Sequence, residues 1–299
     1  MQKINYQQNQ TERLDKFLAD KLPTKSRSAW QKLIKQRLVL VNNKEVTPHY
    51  ILKNGDIITL QDPPPPSTEE KEWQIPIIAQ TNDFLVVDKP AGLVVHPAGG
   101  VKEKTLIEII TQKFPEIKTV GESENRPGLV HRLDKDVSGL LVIAKNNQMF
   151  FHLKKQFQDR QVKKTYLGLV HGKITPLAGT INLKIDRNKK GKIVARPNNQ
   201  QGKDALTEYE VIQYFNNYTY LKINIKTGRT HQIRVHLKAI GHPLLGDKLY
   251  GNKKLKSKEK IGRLFLHAHQ LGFFDLNNNW QEFVSGLPTD LSNFLKSIK

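Results

Sequence analysis

The first sixty residues show a pattern of apolar positions that predicts two short helices followed by short strands. Leu14, Phe17 and Leu18 lie at helical spacing and form one apolar face. After Pro23, Ser26 is a suitable N-cap for a second helix. The inner side of this second helix carries Trp30, Leu33 and Ile34.

Short strands follow the second predicted helix. The apolar residues 39–41 lead into Asn42 and Asn43, a pair typical of tight turns because asparagine tolerates left-handed backbone. Asn54-Gly55 marks another turn, and residues 57–60 form the next predicted strand. The pattern indicates a small module that contains both helices and strands.

A proline-rich segment ends this module. The four consecutive prolines from Pro63 to Pro66 exclude helix and central strand, and they favour an extended polyproline conformation. We therefore predict a small domain over residues 1–62, a linker over 63–74 and a larger domain over 75–299.

The larger domain alternates strand-like runs with few helical ones. Apolar residues at helical spacing predict a helix over 146–160, with Asn146 as its cap, and the loop signals of Pro and Gly cover 88–92. The predicted strands cover residues 84–87, 140–144, 165–170, 208–212, 218–225 and 264–266. This mixture predicts an α+β fold with a mixed, mainly antiparallel sheet flanked by helices.

Charge and composition narrow the class of partner. Among 299 residues there are 48 Lys and Arg against 28 Asp and Glu, and the resulting formal charge of +20 favours a polyanionic partner. The absence of cysteine excludes disulfides, thiolate metal sites and a cysteine nucleophile. No apolar run approaches the roughly 18 residues of a membrane span, and the start is polar. We therefore expect a cytoplasmic protein with no membrane partner.

Basic residues are concentrated in the small domain. Residues 21–40 contain six basic side chains and no acidic one. A solvated helix face would also carry charge, but such faces normally mix both signs, so phosphate binding is the favoured interpretation. The predicted nucleic-acid contacts of this domain are Lys25, Arg27, Lys32, Lys35 and Arg37.

Several common catalytic motifs are absent from the chain. It has no phosphate loop, no dinucleotide-binding glycine fingerprint, no His-Glu-x-x-His and no Gly-x-Ser-x-Gly, so nucleotide hydrolysis and hydride transfer lack support. His267 and His269 stand two residues apart on a strand-like run, a spacing that favours pairing at a strand surface over a metal site. We predict no bound metal.

Two dense polar clusters form the candidate site. The first, His131-Arg-Leu-Asp-Lys-Asp136, lies between two apolar runs, and a solvated charged hairpin would also explain it. The second, over residues 226–236, holds arginines and histidines in a strand-like stretch. An aspartate buried in a cleft needs a positive partner, and either Arg229 or Arg234 could supply it.

Five ordered blocks resemble the RluA/RluD family of pseudouridine synthases. They are Val87-Asp-Lys-Pro-Ala-Gly-Leu93 with His96-Pro97, His131-Arg-Leu-Asp134 with Ser138-Gly139, Lys164-Thr-Tyr166, and residues 227–236 and 241–247.

The small domain resembles the S4 RNA-binding fold. The resemblance rests on Arg13-Leu-Asp-Lys-Phe-Leu18, on Ser26-Arg27 and on the apolar residues that follow. This chain has Arg37 and Asn43 at two positions where that fold usually has glycine.

The resemblance implies a reaction and a set of residue roles. Uridine in RNA would become pseudouridine without a cofactor or a metal, because the base leaves C1′, turns and rejoins through C5. Asp134 would be the catalytic carboxylate, acting either as a nucleophile or by removing a sugar proton. Tyr166 would stack on the target base, Arg234 would pair with Asp134, and Arg132 would fill the gap left by the flipped nucleotide. The other expected substrate contacts are His131, Arg229, His231 and Gln232.

The RNA target is less defined than the reaction. An S4-like domain ahead of this catalytic domain is similar to the enzymes that act on large-subunit (23S) ribosomal RNA, and we expect that partner and a monomeric enzyme. The same reaction on another ribosomal or transfer RNA is one alternative. A non-catalytic RNA-binding factor in ribosome assembly is another, since RNA is recognised largely by shape and by splayed bases.

Overall fold

The chain folds into two compact units, residues 1–72 and 73–299. The computed structural model describes residues 2–8, 10–62, 72–97, 103–198, 200–251 and 261–298. Residues 63–71 of the predicted linker lie outside the described residues. Trp73, which we assigned to the linker, packs against the core of the second unit, so that unit begins two residues before the predicted boundary.

The described part of the first unit contains two helices and a set of short strands. Its elements are β1 (Gln2–Asn5), β2 (Glu12–Arg13), α1 (Leu14–Lys21), α2 (Arg27–Lys35), β3 (Val39–Val41), β4 (Lys44–Glu45), β5 (Ile51–Leu52) and β6 (Ile57–Leu60). One antiparallel sheet has the order β1-β6-β3-β4, and β2 pairs with β5.

The predicted helices and turns of the first unit are confirmed. The Ser26 hydroxyl accepts a hydrogen bond from the Ala29 N–H at 3.3 Å and so caps α2. Arg37, Asn42 and Asn43 adopt left-handed backbone, with φ of 65°, 50° and 61°. Asparagine tolerates this conformation, whereas arginine at the usual glycine position carries backbone strain.

A buried carboxylate holds the two helices of the first unit together. The Asp15 side chain on α1 is fully buried and accepts hydrogen bonds from Arg13, Arg27 and Gln31. Burial alone raises the pKa of Asp15, but the donors Arg13, Gln31 and Arg27 together hold it well below its usual range. Because Arg27 and Gln31 belong to α2, the carboxylate fixes α2 against α1.

We expect Asp15→Ala to lower the thermal stability of the first unit. A carboxylate with a depressed pKa contributes its full stability above its unfolded pKa of about 3.9, and this contribution is lost progressively as the pH falls from there to the lower pKa of the folded state. The difference between wild type and variant should therefore be large at pH 6 and shrink below pH 4. Hydrogen exchange of first-unit amides in the full chain measures it, with the exposed Asp20→Ala as the matched control. An equal loss in both variants would contradict this role.

The second unit is built on one large sheet. Its elements are β7 (Ile77–Gln80), β8 (Phe84–Lys89), α3 (Leu106–Lys113), β9 (Ser138–Ala144), α4 (Asn147–Gln158), β10 (Lys163–His171), β11 (Ala178–Asn182), β12 (Lys184–Arg187), β13 (Ile193–Arg196), β14 (Leu206–Tyr214), β15 (Tyr218–Ile225), α5 (Gln232–Ala239), β16 (Leu266–Phe274), β17 (Trp280–Val284) and α6 (Thr289–Ser297). The nine-stranded sheet has the order β11-β14-β15-β10-β16-β9-β8-β7, and β17 pairs with β16. Strands β12 and β13 form a separate hairpin.

The sheet is mixed and mainly antiparallel, as predicted for an α+β fold. Strand β16 runs parallel to β9, whereas its pairings with β10 and β17 are antiparallel. Strand β8 buries alternate residues on the two faces: Leu85 and Val87 join one core, and Phe84 and Val86 join the core beneath α4. Helices thus cover both faces of the sheet around β8. None of the described helices has the length and apolar character needed to cross a membrane.

Three local predictions in the second unit are wrong. The strand predicted over residues 264–266 is displaced, because β16 begins only at Leu266 and runs to Phe274. The strand-like stretch over 226–236 contains the start of helix α5, because all residues from Gln232 to Leu237 are buried and their polarity no longer shows a helical period. Strand β8 also continues through Asp88 and Lys89, which we predicted as loop, since these residues pair with Leu140 and Gly139.

Candidate active site

The predicted site residues of the second unit line one cleft. Its volume is about 590 Å³, and it is formed by the loop before β9, by β10 and by the start of α5. The predicted residues in its wall are Asp134, Tyr166, Arg234, Arg132, His131, Arg229, His231 and Gln232. Residues far apart in sequence therefore meet at one place.

An ion pair joins the two polar clusters seen in the sequence. The Arg234 guanidinium on α5 donates from Nη1 to Oδ2 of Asp134 at 3.2 Å. Arg229, the other predicted partner, is exposed and donates from Nε to the Asp204 carbonyl at 3.2 Å. The choice left open by the sequence thus falls on Arg234.

A second aspartate holds Arg234 in place. Asp247 accepts two parallel bonds from Arg234, from Nε and from Nη2, each at 2.8 Å. The backbone N–H groups of Leu249 and Tyr250 also donate to Asp247, each at 2.9 Å. Burial alone would lower the pKa of Arg234, but the negative charges of Asp247 and Asp134 raise it by more. The net pKa is above the usual value, so the guanidinium stays charged. Arg234 is thereby fixed with its Nη1 group free to orient Asp134.

His231 lies near the same carboxylate oxygen of Asp134 that Arg234 contacts. Its Nε2 is 3.8 Å from Oδ2 of Asp134, and its Nδ1 is 2.7 Å from the Tyr250 hydroxyl. His231 adopts a left-handed φ of 56° just before α5. Burial lowers the pKa of His231, although the nearby Asp134 opposes this shift. The ring is therefore held neutral and oriented by Tyr250.

Tyr166 forms a buried wall of the cleft. The side chain lies on β10 and is 8% exposed. Burial, together with the negative charge of Asp134, raises the pKa of its hydroxyl. The phenol stays protonated at neutral pH and offers a flat apolar ring beside the carboxylate.

Two predicted substrate contacts, His131 and Gln232, make hydrogen bonds to other residues of the protein. The Val142 N–H donates to Nε2 of His131 at 3.1 Å, and the His131 ring stacks on Phe157. Gln232 is 3% exposed, and its amide bonds to Thr227, Leu206 and other neighbours. Both residues line the cleft, and their direct contact with a substrate stays a prediction.

Arg132 is exposed at the mouth of the cleft. Its Nη1 lies 3.4 Å from Nε2 of His96, a residue that is itself 3% exposed. Burial lowers the pKa of His96, so this imidazole is neutral. The contact holds the guanidinium end of the Arg132 side chain beside His96, while the residue as a whole is exposed.

A buried lysine supports the loop that carries Asp134. The Lys89 ammonium is fully buried and donates to the carbonyls of Pro90 and Leu93, each at 2.9 Å, and of Lys135 at 3.1 Å. Burial lowers the pKa of Lys89 to about 7. Because Lys135 follows Asp134 directly, these bonds tie the loop to the end of β8.

We expect Lys89→Met to destabilise the second unit by about 2–4 kcal/mol, because three carbonyls, that of Leu93 buried and the other two partly buried, lose their donor. The single-turnover rate should also fall, with RNA affinity largely kept, because the loop of Asp134 loses its anchor. Urea unfolding and single-turnover kinetics measure the two effects. Lys135→Met removes an exposed ammonium that pairs with Glu103, and it should change neither quantity. Wild-type stability of Lys89→Met would refute the anchoring role.

His267 is not a surface residue, contrary to the prediction. It is fully buried on β16, and its Nδ1 lies 3.0 Å from the Ser138 hydroxyl at the start of β9. Arg263 donates to the same hydroxyl at 2.6 Å. The parallel pairing of β16 with β9 covers this position, so the spacing of His267 and His269 did not reveal its burial. No group of three metal-ligating side chains occurs in the part of the chain that the structure describes.

The five predicted contacts of the first unit are all exposed on its surface. Lys32 and Lys35 lie on α2, and Arg37 follows it. Both arginines already have acidic partners: Arg27 bonds to Asp15, and Arg37 lies 3.2 Å from Glu45. Lys25 lies over the ring of Trp30. Their contact with RNA stays a prediction.

Sequence reasoning missed the residues that support the site. Asp247, Tyr250 and Lys89 hold Arg234, His231 and the Asp134 loop. Asp247 and Lys89 belong to blocks on which the family resemblance rests. The sequence therefore singled out these residues, but it did not indicate which residues they bind. Tyr250 follows the last of these blocks.

Comparison with known proteins agrees with this geometry. The chain matches the family described as RNA pseudouridylate synthase over residues 83–239, and the S4 domain over residues 12–58. A protein of Aquifex aeolicus named as an uncharacterized RNA pseudouridine synthase is 42% identical over 289 residues, 92% of this chain and 90% of that protein. The ribosomal large subunit pseudouridine synthase D of Nitrosomonas europaea is 37% identical over 303 residues, 96% of this chain and 84% of that protein.

A solved structure shows the same likeness. Human RNA Pseudouridylate Synthase Domain Containing 4 is 27% identical, with a TM-score of 0.59, and the similarity covers 74% of this chain and 91% of that one. The family match spans more than half of this chain, and the Aquifex relative is similar along nearly all of it. The chain therefore belongs to the RNA pseudouridylate synthase family, and it is an RNA pseudouridine synthase with an S4 domain.

Proposed function

We propose that the enzyme isomerises uridine in large-subunit ribosomal RNA and that Asp134 is its catalytic carboxylate. The observation that carries this assignment is the position of Asp134, which faces the cleft beside Tyr166 and is bonded to Arg234 at 3.2 Å. The structure describes one other carboxylate that Arg234 binds, Asp247, which is buried and already bonded to Arg234 and to two backbone N–H groups. Asp134 is the carboxylate that a substrate can reach.

The arrangement suits a reaction at C1′ of a flipped nucleotide. Extrusion of the nucleotide costs a few kcal/mol of stacking and pairing, and basic residues around the cleft offset this cost through phosphate contacts. The Tyr166 ring offers a stacking surface for the base, and Arg132 stands at the mouth to occupy the space the base leaves. Either role of Asp134, nucleophile or base, requires a carboxylate held in one orientation, which Arg234 provides.

Two observations support large-subunit ribosomal RNA as the substrate: the name of a similar protein and the S4 domain of the first unit. The relative from Nitrosomonas europaea carries the name ribosomal large subunit pseudouridine synthase D and is similar over 96% of this chain. The S4 domain over residues 12–58 supplies a second RNA-binding surface. Both features favour a large, structured ribosomal RNA as the substrate.

Release of tritium from RNA labelled at C5 of uridine tests this proposal. The C5 hydrogen is lost as a proton when C5 bonds to C1′, so each pseudouridine formed releases one label to water. Unmodified large-subunit RNA should release label faster than small-subunit RNA or transfer RNA at equal concentrations. Faster release from transfer RNA would contradict the ribosomal assignment, and release from no RNA would contradict the reaction.

A further inference from the structure

Lys164 is a buried cation in the wall of the cleft. It lies on β10 two residues before Tyr166, so both side chains leave the same face of the strand. Lys164 is 9% exposed and lines the same cleft as Asp134. Its neighbour Lys163 points to the opposite face, is exposed and bonds to Glu282 at 2.9 Å.

Lys164 has no counter-charge within the part of the chain that the structure describes. Its ammonium lies 5.4 Å from the centre of the Phe157 ring, and it makes no ion pair with a described residue and donates no hydrogen bond to one. The other lysines of the cleft wall, Lys154 and Lys226, each have a glutamate within 4 Å. Among the described lysines that line the cleft, Lys164 is thus the one without a counter-charge.

The surroundings of Lys164 leave its charge open to the cleft. The nearby His131 is neutral, because burial and the charge of Lys164 lower its pKa to about 3. Burial lowers the pKa of Lys164 itself to about 8, so the ammonium still predominates at pH 7. A buried cation without a partner is costly, and an anion delivered into the cleft removes this cost.

We propose that Lys164 is an anion subsite that binds a phosphodiester oxygen of the RNA strand in the cleft. This inference rests on the proposed function, since RNA is the substrate that brings the anion. Lysine is a compact point charge well suited to phosphate, and a neutral uracil carbonyl would compensate the buried charge less.

The position of Lys164 on β10 fits this role. Residues on the same face of a strand, two apart, have Cα atoms separated by about 6.6 Å. A base that packs on Tyr166 therefore has Lys164 to one side of it in the same cleft, where a phosphodiester oxygen of the strand would meet the ammonium.

The salt dependence of RNA binding tests the subsite. Binding of an unmodified large-subunit ribosomal RNA transcript is measured with Asp134→Asn protein, so that turnover does not affect the affinity. Adding Lys164→Met should raise Kd by about tenfold and reduce the slope of log affinity against log salt by about 0.7–0.9, the value for one lost phosphate contact. Methionine keeps the buried stem, so thermal stability should be preserved or increased. A merely structural role of Lys164 would not change the salt slope.

The matched control is Lys163→Met in the same background, which should change neither Kd nor the slope. An unchanged slope in the Lys164 variant would overturn the subsite. A reduced turnover of Lys164→Met at wild-type affinity would also overturn it, because the ammonium would then stabilise charge formed during the reaction. If the wild type converts no uridine but the slope still depends on Lys164, the proposed function fails and the anion subsite stands.

Discussion

Replacing Asp134 with asparagine is expected to abolish pseudouridine formation and to leave RNA affinity nearly unchanged. The amide keeps the shape of the side chain and still accepts a bond from Arg234, but it has no negative charge to act as nucleophile or base. We expect the single-turnover rate to fall by at least about 10³-fold. Affinity should change by less than about threefold, because most binding energy comes from phosphate contacts elsewhere. Tritium release and filter binding measure the two quantities.

The matched control for this prediction is Asp136→Asn. Asp136 lies two residues further along the same loop and is exposed. Its substitution removes one carboxylate of equal charge from the same surface, and activity should stay within about threefold of wild type. Pseudouridine formation by Asp134→Asn at a rate near wild type would show that another group performs the reaction.

Replacing Arg234 with methionine is expected to reduce both stability and activity. The substitution leaves the Asp247 carboxylate buried without its cation, which costs about 3–5 kcal/mol of unfolding free energy. Asp134 loses its hydrogen-bond donor at the same time, and we expect turnover to fall by at least about 10²-fold. Urea unfolding and single-turnover rates, measured below the unfolding transition, record both effects.

The Arg234→Lys variant tests whether the positive charge at this position is sufficient or whether the geometry of the guanidinium is also needed. Lysine restores a positive charge next to Asp247, but one ammonium cannot reproduce the fork that bridges Asp247 and Asp134. Stability should therefore recover in part while activity remains low. Arg132→Met, a change at an exposed residue of the same cleft, should leave stability unchanged. Full activity of Arg234→Lys would show that the fork is not needed to orient Asp134.

Elements with one buried face were predictable from the sequence. Helix α4 buries Met149, Phe150 and Leu153 on one side, so its period is visible, and Asn146 caps it as expected. Helix α5 was not predictable in this way, because it is buried on several sides and its apolar and polar residues alternate. Hydrophobic periodicity in a sequence indicates an element that is buried on one face. It does not identify an element that is buried on all sides.

The same limit applies to the candidate site. Asp134, Tyr166 and Arg234 were identified through blocks of residues that resemble a family, and the structure brings all three to one cleft. The pairing of Arg234 with Asp247 could not be derived from the sequence, because it depends on how α5 packs against the segment between α5 and β16. The uncompensated charge of Lys164 was hidden for the same reason, since the absence of a partner is a property of the folded chain.

The measurement that tests the central claim most directly is mapping of pseudouridine by carbodiimide modification and primer extension. Purified wild-type protein is incubated with unmodified large-subunit ribosomal RNA, without added metal or cofactor, and the Asp134→Asn protein is treated in parallel. We predict new stops at discrete uridines with the wild type and none with the variant. No stops with the wild type, despite tight and salt-dependent binding of the RNA, would contradict the proposal that this cleft isomerises uridine in ribosomal RNA.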